Sequence, residues 1–83
     1  MPKIMTDKAR HAKIELKIRG GVAKRIAEIR GDRSQRQFAR ELGVFQQNVN
    51  RYEGGKAVPA LDFLIRIARV EKIDLNWLIL GKS

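Results

Sequence analysis

From Val22 onward the apolar residues recur every three or four positions, and glycine interrupts the recurrence at Gly31, Gly43 and Gly81. That spacing is the period of α-helices with one buried face. Val22, Ala23, Ile26, Ala27 and Ile29 form one stripe, closed by Gly31-Asp32. Ser34 is placed to cap a second helix over residues 35–42, which buries Phe38, Ala39 and Leu42. Gly43 follows where a chain leaves a helix through a left-handed conformation. A third, short helix is expected over residues 45–52, with Val49 and Tyr52 inward. Residues 53–56 form a loop, and Pro59 suits the first turn of a fourth helix. In that helix Leu61, Leu64, Ile65 and Ala68 follow the i, i+3, i+4, i+7 pattern. Asp74 caps a last helix over residues 75–80, ended by Gly81. The expectation for residues 22–83 is an all-α domain of five helices.

Residues 1–21 read differently, as a basic extension. Lys13 to Arg19 alternates polar and apolar side chains, the period of a half-buried strand. We read residues 12–19 as that strand, separated from the helices by Gly20-Gly21. A helix over residues 6–19 is the competing reading, because Ala9, Ala12 and Leu16 share a face. A lone strand needs a partner, and the same strand of a second copy is the simplest one. A basic arm lying along a polyanion is the other role open to residues 1–13.

Composition narrows the function. The 83 residues make one domain with a small core. Eighteen basic residues against nine acidic ones give a net charge of +9, the electrostatic footprint of a nucleic-acid binder. Both regions share it, with six basic and two acidic groups in residues 1–21 and twelve and seven beyond. The absence of cysteine excludes disulfides and thiolate metal sites and suits a cytoplasmic protein. No apolar run has the length of a membrane span or of a signal peptide's apolar stretch. His11 has no partner for a metal site, and no nucleophile–base set or paired carboxylates stand at useful spacing. Neither an enzyme nor a cofactor is expected.

The chemistry concentrates in residues 35–54, QRQFARELGVFQQNVNRYEG. Two helices joined by a tight turn at glycine make a helix-turn-helix unit. Ala39 is small where the helices cross. Phe38, Leu42, Val44, Val49 and Tyr52 face the core, leaving Gln46, Gln47, Asn50 and Arg51 outward. This stretch resembles the lambda-repressor-like, or Cro/C1-type (XRE), helix-turn-helix domains. The resemblance covers about residues 22–81. It rests on Ser34-Gln35, Phe38-Ala39, Leu42-Gly43-Val44, Glu53-Gly54 with Lys56 and Pro59, Leu64 with Ile67-Ala68, and Leu75 with Trp77-Leu78 before Gly81.

The resemblance implies a DNA-binding transcriptional regulator, commonly a repressor, acting as a homodimer on double-stranded DNA. It implies base contacts from Gln46 and Gln47, with Asn50 and Arg51 reaching a base or the backbone. It implies a phosphate contact at Gln35, with Arg33, Arg36, Arg40 and Lys56 near enough to add more. It also implies a structural ion pair between Arg30 and Glu53. No sensor domain is expected after Ser83, so occupancy would follow protein concentration or a partner protein. Dimerisation has two candidate seats: the Ile14-Leu16-Ile18 strand, and the C-terminal segment through Trp77 and Leu80. Two other readings share the residues, an antitoxin-type interaction protein and a nonspecific nucleic-acid binder.

One residue departs from the family pattern. Phe45 stands where serine or threonine usually caps the third helix, and phenylalanine cannot cap. We expect its ring to pack on Val49 as a local staple. Contact with a thymine methyl is the alternative.

Overall fold

The computed structural model describes residues 4–82, with side chains from residue 17 onward. The described residues form five helices: α1 (Ile4–Arg30), α2 (Gln35–Leu42), α3 (Gln46–Glu53), α4 (Leu61–Glu71) and α5 (Leu75–Leu80). None is long and apolar enough to cross a membrane.

The first helix corrects the reading of residues 12–19 as a strand. α1 runs through them and through Gly20-Gly21 without a break. A lone strand would leave its backbone groups without partners, whereas a helix satisfies them internally. Ala12, Lys13, Glu15, Leu16, Lys17 and Arg19 are also good helix formers. Ile18 continues the Val22–Ile26 stripe four residues earlier and packs against the core. Two mid-helix glycines cost about 1 kcal/mol each, which that packing offsets. The Ile14 and Leu16 side chains lie outside the described residues.

The core gathers Val22 and Ile26 from α1, Phe38, Ala39 and Leu42 from α2, and Val49 and Tyr52 from α3. Phe63, Leu64 and Ile67 from α4 and Leu78 from α5 complete it. α4 is rotated from the expected face. Leu61 and Ile65 lie outward, at 63% and 37% exposure, while Phe63 and Ile67 turn in. The Phe63 ring meets Tyr52 edge-on, with centroids 4.7 Å apart. That aromatic pair buries more apolar area than Leu61 and Ile65 would at the same seat. Pro59 is buried before the helix, whose first turn begins beyond Ala60.

The ends of the helices follow their local chemistry. The Ser34 side chain accepts a hydrogen bond from the Gln37 backbone N–H, and Asp74 does the same for Asn76. Gly43 takes φ +73°, a left-handed turn that opens the path to α3. The Arg25 guanidinium donates to the Leu78 and Ile79 carbonyls at 2.8 and 2.9 Å, tying the end of α5 to α1.

Candidate nucleic-acid interface

α2 and α3 pack against each other, and Val49 and Tyr52 anchor α3 inward. A helix of eight residues with one buried stripe must show its other face to solvent. On that face Gln46, Gln47, Asn50 and Arg51 are all exposed. Gln46, Gln47 and Asn50 line a single open concavity. Arg51 lies with its guanidinium 5.8 Å from the Tyr52 ring centroid, a cation–π contact that leaves its N–H groups available.

Behind this face runs a chain of hydrogen bonds. The Asn50 amide donates to Gln35 Oε1 at 3.2 Å. The Gln35 amide in turn donates to Glu53 Oε1 at 3.1 Å. Arg30 closes the chain with two bonds to Glu53, Nε to Oε2 at 2.7 Å and Nη2 to Oε1 at 3.0 Å. The Glu53 side chain is 8% exposed and that of Arg30 24%. The hydrogen bond to Glu53 raises the Arg30 pKa above its ordinary value, with burial opposing it. The end of α1, the start of α2 and both turns of α3 are thereby joined at one carboxylate.

Gln35 therefore spends both ends of its amide inside the protein. What it can still offer an anion is its backbone N–H, in the first turn of α2, where the Ser34 side chain takes the Gln37 N–H. Arg36, Arg40 and Lys56 are exposed and make no ion pair among the described residues.

Arg33 departs from its expected place among the phosphate contacts. It donates to Glu41 at 2.8 Å and to Glu71 at 3.1 and 3.0 Å. It also donates to the Arg30 and Ile29 carbonyls at 3.0 and 2.7 Å. These five bonds use the five N–H groups of a guanidinium, so none is left for phosphate. The same group lies 4.7 Å from the Phe38 ring centroid. Its pKa is driven up, first by Glu71 and then by Glu41. Arg33 is a staple between α1, α2 and α4. Its partners Glu41 and Glu71 carried no motif, so the sequence offered no signal for this role.

Phe45 is the N-cap of α3 with no side-chain capping bond. Phe45 as a whole is 75% exposed and is not among the side chains packed on the core around Val49, which corrects the expected staple. Ile18 and Leu80, from the two candidate dimer seats, line one crease between α1 and α5. Trp77 packs partly against the core.

Comparison with known proteins agrees with this geometry. The family model described as Helix-turn-helix matches residues 21–78. A protein of Haemophilus influenzae named as an uncharacterized HTH-type transcriptional regulator is 37% identical over 46 residues. That match covers 55% of this chain and 19% of the relative, so the chain spans a small part of the relative's length. No solved structure matches the chain significantly. From its five helices, its glycine turn and this match over most of its length, the chain belongs to the Cro/C1-type helix-turn-helix family.

Proposed function

We propose that the protein is a sequence-specific, double-stranded DNA-binding transcriptional regulator. It acts as a homodimeric repressor in the cytoplasm, with α3 in the major groove. The observation that carries this reading is the outer face of α3. Three exposed amides share one concavity, and exposed cations lie on the neighbouring helix and loop. The relative's name as an HTH-type transcriptional regulator supports the same reading.

Amides suit base edges better than phosphates. A glutamine or asparagine donates to adenine N7 and accepts from N6, which a lone cation cannot do. Gln46 and Gln47, in the first turn of α3, would take that role, with Asn50 and Arg51 one turn on. Arg36, Arg40, Lys56 and the first backbone N–H groups of α2 would hold phosphates, giving affinity and register. Arg33 is left out of this set because its donors are spent. Arg30 and Glu53 touch no DNA and fix α3 against α1. The basic extension, residues 1–21, supplies from Ile4 the start of α1, and residues 22–83 are the DNA-binding domain. Dimerisation is assigned to the α1–α5 crease, with Ile18 and Leu80 on it and Ile14, Leu16 and Trp77 on the same two helices. Repression would follow from occupying a site that polymerase needs.

The test is a binding selection from random duplex DNA at about physiological salt. We expect an enriched inverted repeat whose half-site centres lie about 34 Å apart. With that site, Gln47→Ala should relax preference at one base pair, while Arg36→Ala should weaken all DNA and reduce the salt slope by about one. A flat pool despite tight binding would sink the specific reading.

A further inference from the structure

Phe45 holds the largest exposure of any large apolar side chain among the described residues, 75%. It occupies an N-cap, where α2 and α5 use Ser34 and Asp74 to bond the backbone, and it makes no such bond. Packing does not account for it, and capping argues against it. Both burial and helix termination would be better served by serine. A residue that costs stability twice at one position is best explained by what it meets there.

Its position says what that is. Phe45 directly precedes Gln46 and Gln47, at the end of α3 that reaches deepest in the proposed docking. The floor of the major groove is polar except for one group, the C5-methyl of a pyrimidine. Thymine carries it, and so does 5-methylcytosine. We propose that Phe45 is a receptor for a pyrimidine C5-methyl group, one per half-site, and that it sets specificity beside the amides. This rests on the reading of α3 as the base-reading helix.

The experiment uses the duplex that the selection returns. Each thymine is replaced singly by deoxyuridine, which removes only the methyl, and each cytosine singly by 5-methylcytosine, which adds one. Dissociation constants are measured by fluorescence anisotropy for the wild type, Phe45→Ala and Phe45→Ser. Serine adds the helix cap that Phe45 lacks, and thermal melting confirms that both variants fold.

At one position per half-site the wild type should respond about fourfold, the worth of one buried methyl group. Loss with deoxyuridine assigns the contact to thymine; gain with 5-methylcytosine assigns it to methylated cytosine. Both variants should bind the paired duplexes alike. If no position separates the wild type from the variants, Phe45 is not a methyl receptor, although the sequence reader stands. If the selection returns no preferred site, the reading of α3 fails and this proposal falls with it.

Discussion

Removing Glu53 should be costly, because three hydrogen bonds converge on its carboxylate. Its carboxylate takes two bonds from Arg30 and one from Gln35, at 2.7, 3.0 and 3.1 Å. Taking one partner from a fully buried ion pair costs about 3–5 kcal/mol. The Glu53 side chain is 8% exposed but Arg30 keeps 24%, so water recovers part of its solvation. We therefore expect Glu53→Ala to lose about 2–3 kcal/mol. In a domain of this size that lowers Tm by about 10–20 °C. Urea unfolding followed by the fluorescence of Trp77, the only tryptophan, reads the loss directly. The midpoint should fall with the slope unchanged. The double variant Arg30→Met/Glu53→Leu should recover most of the loss, because it removes the stranded cation as well. If Glu53→Ala stays within about 0.5 kcal/mol of the wild type, the pair is a surface contact and the network does not organise the helices.

Three further outcomes follow from the geometry. Gly43→Ala should lose about 1–2 kcal/mol by thermal melting, because φ +73° strains any residue with a Cβ. The nearest atom to that Cβ, Arg66 Nη1 at 3.1 Å, ends a flexible side chain and can move aside. Leu80→Asp should sediment as a monomer and bind the selected site weakly; a dimer would remove the α1–α5 crease as the seat. Stability should also depend on Glu41. The Gln37 amide, and then Arg33, hold its pKa below the ordinary 4.5. A lowered folded-state pKa gives stability that is fully present above that ordinary value and lost as pH falls through the folded one. The wild type's advantage over Glu41→Gln should therefore shrink below pH 4.5 in urea melts.

The α2–α3 unit was legible because local chemistry decides it. Ser34 caps, Gly43 turns, and the apolar residues of both helices fall on one face whatever lies beyond. The start of α1 was not, because Lys13 to Arg19 satisfies both periods at once. Seven alternating residues also place Leu16 above Ala12 and Ala9 at helical spacing. The competition is settled by what the segment joins, a helix whose Val22–Ile26 stripe Ile18 extends. The rotation of α4 was hidden for a related reason. Leu61, Phe63, Leu64, Ile65 and Ile67 supply two overlapping helical faces, and only the Tyr52 ring selects between them.

The polar residues around α2 and α3 show a different limit, that a polar side chain reveals its type in the sequence but not how many of its donors are free. Arg33 looks like any other cation in the sequence, yet its five N–H groups all have partners. Asn50 is the instructive intermediate. One N–H of its amide is held by Gln35. The second N–H and the carbonyl oxygen remain, one donor and one acceptor on the same plane. That is the pair an adenine edge requires, N7 accepting and N6–H donating. The bond to Gln35 therefore need not break for Asn50 to read a base. It fixes the amide's orientation, so the flipped arrangement, which would turn an oxygen toward Gln35 Oε1, is disfavoured. Because Gln35 is itself held by Glu53, the base reading proposed for Asn50 would be coupled to the Arg30 ion pair. On this reasoning Glu53→Ala, studied at a temperature where it is still folded, should lose preference at the base pair that Asn50 faces. Nonspecific affinity for DNA should change little, because every cation proposed to hold phosphate is left in place.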